Sequence, residues 1–234
     1  MAEKADDKSP LTQPFNIRDC ALVSLATGYS AQNLREFKEG LLRVHEGSIY
    51  HHFWGRFLEP QFDEPEYSND FAAWVYHRLN EKALAEKLSV IDPTDYENIE
   101  SVRQDLVECI EDRLYENEFV PWTRADEQFH FVRSQIVVLD TGRYLEMPSD
   151  LPSAVPKMTI GSIFYHFIDA RKRTEDGSDD FSAWLTGWGD AYNDLRLKLM
   201  AVDPFFSSLK ELRFMVTRVL EEYFSGEGTH ERTS

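Results

Sequence analysis

Two histidine–aspartate pairs are the residues of this chain best suited to chemistry. His52 precedes Asp70 along the chain, and His166 precedes Asp180. An imidazole that is oriented by a carboxylate can act as a general base or ligate a metal ion. The alternative interpretation is structural, because a buried His–Asp hydrogen bond also ties two helices together. These four residues are the candidate catalytic residues of the chain.

The two pairs belong to a pattern that occurs twice. The matching segments and their counterparts are Ser48–Phe53 with Ser162–Phe167, Asn69–Trp74 with Asp179–Trp184, and Ile91–Pro93 with Val202–Pro204. They keep the same order, at offsets of 114, 110 and 111 residues. Order and spacing together predict a tandem duplication. Because catalytic residues often survive in only one copy, retention of the pair in both copies favours the structural interpretation.

The duplication also predicts the domain organisation. Repeat one covers 15–116 and repeat two covers 129–224, with a linker at 117–128. Polar tails, 1–14 and 225–234, are expected to be disordered. Each repeat is long enough to bury a core. We expect the repeats to pack with pseudo-twofold symmetry, since a duplicated unit can reuse a self-complementary surface.

The elements that must position the pairs are predicted to be mainly α, with about four helices in each repeat. The clearest apolar stripes, at helical spacing, are Ile99, Val102, Leu106, Ile110 and Leu114, and Leu209, Leu212, Val216, Leu220 and Phe224. Short apolar segments before Thr27-Gly28 and Thr141-Gly142 predict a short β-hairpin at the start of each repeat. Three prolines, at 148, 152 and 156, predict that the first helix is broken in repeat two.

Residues that only repeat one carries are the better candidates for a binding site. His51, Trp54, Arg56 and Tyr67 form this candidate surface, and repeat two has Ile168 and Ala170 in place of Trp54 and Arg56. The structural alternative is again a core, because aromatic side chains at helical spacing usually pack inside a protein.

No metal site or cofactor is predicted. Four histidines, at 45, 51, 52 and 77, lie in repeat one, but adjacent helical residues such as His51 and His52 point about 100° apart. The chain carries no phosphate-binding glycine loop, nucleophile elbow, Cys-x-x-Cys or His-Glu-x-x-His motif. Whether the protein is an enzyme is left open.

Charge and hydropathy restrict the partners. The formal net charge is −17, which argues against nucleic acid and anionic membrane surfaces. No apolar run approaches the roughly 18 residues of a membrane span, and the first residues are polar, so we expect a cytoplasmic location. The two cysteines, Cys20 and Cys109, are interpreted as small buried hydrophobic residues. A protein or small-molecule partner and a homodimer are left open.

The pattern resembles an uncharacterised bacterial and archaeal family known only as a domain of unknown function. The residues that carry the resemblance are Ser48, Ile49, Tyr50, His52, Phe53, Asn69, Asp70, Phe71, Trp74, Val75, Leu84, Ala85 and Leu88. Repeat two departs from it at Asp179, where the family pattern has asparagine. The resemblance implies no activity, cofactor or partner. We therefore expect a non-catalytic binding or regulatory protein. The alternative is an enzyme that uses His52 and Asp70 and either depends on a metal ion or acts on a carbohydrate-like small molecule.

Overall fold

The structure is a computed structural model, and it describes residues 13–58, 66–116, 123–174, 176–205 and 208–230. Within these ranges the side chains of Arg56, Phe57 and residues 227–230 are not described. Residues 1–12 and 231–234 of the predicted tails, and residues 117–122 of the predicted linker, lie outside the described residues.

One long strand begins each repeat, and the two strands pair with each other. Strand β1 is Phe15–Ala31 and strand β2 is Phe129–Leu145, each 17 residues long, and together they form a two-stranded sheet. The Thr27 hydroxyl donates to the carbonyl of Phe131, and the Thr141 hydroxyl donates to the carbonyl of Ile17. Residue numbers rise along one strand as they fall along the other, so the strands are antiparallel.

The prediction of a mainly α fold with a short hairpin at the start of each repeat is wrong, because this sheet makes the fold mixed α/β. Gly28 and Gly142 do not close turns. Their φ angles of 81° and 66° are left-handed, yet the strand continues through each of them. Such a glycine inside a strand is typical of a bulge, which has the same local sequence signal as a tight turn. The sequence around Thr27-Gly28 therefore could not distinguish a hairpin from a long strand with a distant partner.

Contacts divide the chain into two compact units. The continuous unit is Leu22–Val137, and the discontinuous unit consists of Met1–Ala21 and Val138–Ser234. Each strand passes from one unit into the other, at Ala21 in β1 and at Val137 in β2. Each unit therefore contains the helices of one repeat and the first part of the strand that begins the other repeat.

The described part of the continuous unit contains five α-helices. They are α1 (Leu34–Arg43), α2 (Glu46–Trp54), α3 (Asp70–Leu79), α4 (Lys82–Ser89) and α5 (Ile99–Glu116). The side chains of Asn33 and Asn69 accept backbone N–H groups at the starts of α1 and α3, as N-caps do. The left-handed residue Asn80 ends α3, and α4 follows it as a separate helix.

The fifth helix does not begin at the Asp92-Pro93 pair. Asp92 accepts the backbone N–H of Thr94, but the element that it caps is a 3₁₀ turn, Pro93–Asp95. Helix α5 starts only at Ile99 and then carries the predicted apolar stripe, of which Val102, Leu106 and Ile110 are fully buried.

The described part of the discontinuous unit contains several short helical segments and one long helix. They are α6 (Leu151–Ala154), α7 (Ile160–Ile163), α8 (Asp180–Thr186), α9 (Asn193–Met200) and α10 (Leu209–His230). Prolines break the first of these, which lies between two 3₁₀ turns, Pro148–Asp150 and Val155–Lys157. A five-residue π-helix, Phe164–Ile168, follows α7. Helix α10 extends into the range 225–234 for which a disordered tail was predicted.

Aromatic side chains fill the core of each unit. In the continuous unit these are Phe37, Phe53, Phe71, Phe129 and Phe131; in the discontinuous unit they are Phe15, Phe164, Phe167, Phe181 and Phe205. Helix α1 packs so closely on β2 that a Cβ atom at Gly40 would collide with the Phe131 ring. The first residues of each strand are thus part of the core of its unit. No described helix is long and apolar enough to cross a membrane.

Substitution of Gly28 by alanine tests the bulge. No atom lies within 4 Å of the position that a Cβ would occupy, so only the backbone conformation opposes a side chain there. We expect Gly28→Ala to lower the free energy of unfolding by about 1–2 kcal/mol in urea denaturation. The control is Gly226→Ala in α10, which should leave stability unchanged or raise it. Equal stability of Gly28→Ala and the wild type would contradict the left-handed conformation.

Candidate functional site

The first His–Asp pair joins two helices and a strand. His52 lies in α2, and its Nδ1 donates to Oδ2 of Asp70, the first residue of α3, at 3.0 Å. On the other side of the ring, Nε2 accepts the backbone N–H of Val132 in β2 at 3.1 Å. A nitrogen that accepts a backbone N–H carries no proton of its own, so the neutral ring holds its proton on Nδ1.

The second pair repeats this arrangement. His166 Nδ1 donates to Asp180 Oδ2 at 2.7 Å, and Nε2 accepts the backbone N–H of Arg18 in β1 at 2.9 Å. Arg18 and Val132 are separated by the same 114 residues that separate His166 and His52. The structure therefore brings together both predicted pairs, and it adds a strand amide to each.

Aromatic rings enclose both imidazoles. His52 and His166 are only 4% and 2% exposed. The ring of His52 lies against Phe71 and Phe129, and that of His166 against Phe15 and Phe181. With both nitrogens bonded to protein groups, neither ring has a nitrogen left to take a proton from a substrate or to ligate a metal.

A tryptophan completes each arrangement from the next turn of the helix. The indole N–H of Trp74 in α3 donates to the carbonyl of Glu127, and that of Trp184 in α8 donates to the carbonyl of Gln13, both at 2.9 Å. Both acceptors lie just before a strand. Trp74 and Trp184 each lie four residues after the aspartate of a His–Asp pair. The same short segment therefore contacts both the imidazole and the start of the strand.

Arg173 gives the second pair an additional partner. Its guanidinium donates to both oxygens of Asp180 at 3.0 and 3.3 Å, to Asp169 at 3.1 Å and to the carbonyl of Tyr165 at 2.9 Å. A charge-assisted contact of this kind is stronger than a neutral hydrogen bond and fixes the position of the Asp180 carboxylate. The equivalent position in repeat one falls at residue 59, outside the described residues.

His51 has a different environment from His52. Its Nδ1 forms a hydrogen bond with the hydroxyl of Ser134 in β2, and the side chain is buried. Burial, together with the neighbouring His52, lowers the pKa of His51 to about 4. A serine hydroxyl next to an imidazole has the layout of a nucleophile and its base, but a buried ring with so low a pKa is a weak base.

Repeat two does not keep this hydrogen bond. The equivalents of His51 and Ser134 are Tyr165 and Cys20. The Cys20 thiol donates to the carbonyl of Gly161 at 3.3 Å, and burial next to Asp169 raises its pKa to about 12. A thiol with this pKa stays protonated and unreactive. Cys109 is a partly buried free cysteine.

The other residues of the predicted binding surface are mostly buried. Trp54 packs near Tyr50, and Tyr67 packs against Tyr76 while its hydroxyl donates to Glu86 at 3.2 Å. His51, Trp54 and Tyr67 are 8%, 4% and 6% exposed. The side chain of Arg56 is not described. Among the described residues there is no group of three or more histidines, cysteines or carboxylates that could hold a metal ion.

Two arginines make equivalent contacts in the two repeats and were not predicted from the sequence. Arg103 in α5 donates to the carbonyl of Leu41, and Arg213 in α10 donates to the carbonyl of Met158 at 2.8 Å. The two positions differ by 110 residues, the offset of the Asn69–Trp74 pattern, and this offset was the signal that could have identified them. Arg103 is buried and also binds both oxygens of Glu100.

The buried cap of the third helix differs between the repeats. Asn69 is fully buried, accepts the N–H of Ala72 and donates its amide to the carbonyl of Leu88 at 2.9 Å. Asp179 accepts the N–H and the hydroxyl of Ser182 at 2.9 and 2.6 Å. Burial raises the pKa of Asp179, because its charged form is taken out of water.

Comparison with known proteins places this architecture in a family. The sequence profile of DUF5752, a family of unknown function, matches residues 12–221, which include both strands and both His–Asp pairs. The chain belongs to this family. The family resemblance deduced from the sequence pattern is thereby confirmed.

One solved structure is similar to this DUF5752 chain over almost its whole length. It is the structure of OrfY from Thermoproteus tenax, with 31% sequence identity and a TM-score of 0.80. The match covers 93% of this chain and 98% of OrfY. No curated protein matches the chain.

Substitution of Asp179 by asparagine should stabilise the protein. The folded-state pKa of Asp179 is raised, so the cost of its buried charge is present above the carboxyl's unfolded-state pKa and disappears at lower pH. We expect Asp179→Asn to raise the free energy of unfolding by about 1 kcal/mol at pH 7 and by less at pH 4, measured with urea. The reciprocal control, Asn69→Asp, should lower it by about 2–3 kcal/mol. A destabilised Asp179→Asn protein would contradict this account.

The depressed pKa of His51 predicts a pH-dependent contribution to stability. A histidine whose folded pKa is lowered contributes stability that is complete above its unfolded pKa and is lost as the pH falls towards the folded value of about 4. Relative to that of His51→Asn, the free energy of unfolding of the wild type should fall by about 2–3 kcal/mol between pH 7 and pH 4, measured by urea denaturation. Parallel pH profiles of the two proteins would show that protonation of His51 is not coupled to folding.

Proposed function

We propose that this protein is a non-catalytic binding protein in which the two His–Asp pairs are structural clamps. Each clamp joins a strand amide, the second helix of a repeat and the first residue of the third. In this role His52 and His166 fix the position of a strand, and the ligand or partner binds elsewhere.

The proposal rests on one observation: both nitrogen atoms of each imidazole are hydrogen-bonded to other groups of the protein. A general base needs an accessible nitrogen with a free lone pair near the substrate. In His52 the lone pair of Nε2 accepts the N–H of Val132, and the proton of Nδ1 is bound by Asp70. The same contacts occupy His166. Release of Nε2 would leave the backbone N–H of a strand residue without its acceptor, at a cost of about 1–3 kcal/mol.

Matching contacts in the two halves support the proposed duplication of 15–116 and 129–224. The histidine, aspartate, tryptophan and arginine contacts recur at the offsets read from the sequence. On this basis the shared residues maintain the fold, and the positions that differ are where a binding function is sought. The net charge of −17 supports a partner other than nucleic acid. A cytoplasmic location stays a prediction from the sequence.

Chemical modification of histidine tests the proposal. Diethyl pyrocarbonate acylates neutral imidazoles that it can reach, so His52 and His166 should be protected in the folded protein. His77 and His130, which are exposed, are the internal controls and should react rapidly. Mass spectrometry of peptides after a time course gives the rate at each histidine, and unfolding in urea should make all of them reactive.

The alternative, an enzyme that uses His52 and Asp70, gives the opposite result. A catalytic imidazole is reached by its substrate and should therefore also be reached by a small reagent. Suppose that His52 in the folded chain is modified at the rate of His130 while His166 stays protected. This result would show that His52 belongs to an accessible chemical site and is not a structural clamp.

A further inference from the structure

The part of β1 that lies in the continuous unit, residues 22–31, has an open edge. The sheet consists of β1 and β2, so β1 has a strand on one side and no described strand on the other. Each of the residues 22–30 is half-buried or exposed, and the apolar side chains of Val23 and Tyr29 are 45% and 43% exposed. The edge of such a strand presents backbone N–H and C=O groups with which another strand can pair.

The contact of Arg18 shows which backbone groups lie along this edge. The N–H of Arg18 points away from β2, since it donates to His166 at 2.9 Å. Alternate residues of a strand direct their N–H and C=O groups to the same side, so Leu22, Ser24 and Ala26 present theirs to the edge. No acceptor for these three N–H groups is found in the part of the chain that the structure describes. Beyond the contact with His166, the edge of β1 is therefore available for pairing.

The edge of β1 lacks the charged residues that usually prevent edge strands from pairing. Residues 20–34 contain no Asp, Glu, Lys or Arg, and no other run of this length without them occurs in the sequence. Strand β2 differs, because it carries Asp140 and Arg143, both exposed. At the offset of 114 residues their equivalents in β1 are Ala26 and Tyr29. The edge of β2 is thus protected by charge, and that of β1 is not.

These charges select a second copy of the chain as the occupant of the edge. Two chains that each carry a net charge of −17 repel each other, so they can pair only through an uncharged surface. Residues 20–34 provide one, and antiparallel pairing about a twofold axis places the same uncharged segment on both sides of the contact. A strongly basic or acidic partner segment would find no opposite charge on this edge.

We propose that two copies of the chain pair antiparallel through the edge of β1, so that their two-stranded sheets join as one four-stranded sheet. A twofold axis at Ser24 places Leu22 of each copy opposite Ala26 of the other and forms about six N–H···O bonds. Because charged residues protect the edge of β2, pairing stops at two copies. The inference goes beyond the proposed function and does not depend on the His–Asp clamps.

Sedimentation velocity of the full chain, from micromolar to submillimolar concentration, tests the proposal. We expect a mass of 27.3 kDa at the lowest concentration and twice that mass at the highest. The mass of a single chain at every concentration would overturn the proposal and leave the edge to a strand from another protein. Masses that keep rising above that of a dimer would contradict closure by a twofold axis.

Proline substitutions locate the contact. Ser24→Pro removes an N–H from the edge of β1, and proline is tolerated in an edge strand where the N–H faces solvent. We expect this variant to raise the dissociation constant of the dimer at least tenfold while its circular dichroism stays that of the wild type. Val138→Pro is the matched control, because Val138 is the equivalent of Ser24 in β2 and is 41% exposed. It should dimerise like the wild type.

A charge substitution tests the protection that β2 has and β1 lacks. Ala26→Asp gives β1 the carboxylate that β2 carries at Asp140, and the dimer then brings two added negative charges towards its contact. We expect the dissociation constant to rise at least tenfold at low ionic strength and to recover in part at high salt. Unchanged dimerisation of both folded variants, Ser24→Pro and Ala26→Asp, would place the interface elsewhere.

Amide hydrogen exchange of the wild type gives a result that does not depend on the folding of any variant. Peptides from residues 20–30 should exchange at least tenfold more slowly at the concentration of the dimer than at that of the single chain, and peptides from α5 should exchange equally at both. A dimer without this protection would overturn the proposal. His52 and His166 stay protected from acylation in either case, so the dimer and the non-catalytic proposal can fail separately.

Discussion

The fold depends on one interaction, the backbone N–H of a strand bound to the Nε2 atom of a buried histidine. In a two-stranded ribbon each strand has a partner on one side only, so amides on the other side need acceptors from elsewhere. Val132 and Arg18 find theirs in His52 and His166. Because each ring also donates to an aspartate, the same side chain fixes the strand and two helices at once, and its tautomer is set by both bonds.

The rest of each unit is arranged around this contact. The aspartate that receives the proton of the imidazole is the first residue of a helix, where a carboxylate also interacts well with the helix dipole. One residue earlier, Asn69 or Asp179 caps the same helix, and one turn later a tryptophan holds the residue that precedes the strand. Strand, cap and helix are therefore held together by neighbouring residues of one short segment in each repeat.

Differences between the repeats are informative about function because this framework is common to both. His51 and Ser134 correspond to Tyr165 and Cys20, both pairs lie in buried surroundings, and neither presents an accessible nucleophile with a strong base. The larger difference lies on the third and last helices. The ion pairs of Arg78 and Arg113 in repeat one are replaced in repeat two by ring contacts of Trp188 and Tyr223. A surface that changes while the core is kept is the natural place for a binding function.

The sequence by itself determined the His–Asp pairs, the family and the apolar stripes of α5 and α10, since these depend on residue types at short, regular spacing. It could not determine that the strands pair with each other, because Thr27 and its partner Phe131 are 104 residues apart and local alternation does not name a partner. For the same reason, the tertiary structure decided which strand amide each imidazole binds and that Trp54 and Tyr67 of the predicted surface are buried. Hydrogen-bond satisfaction and burial depend on which distant segments meet, and only the folded chain specifies that.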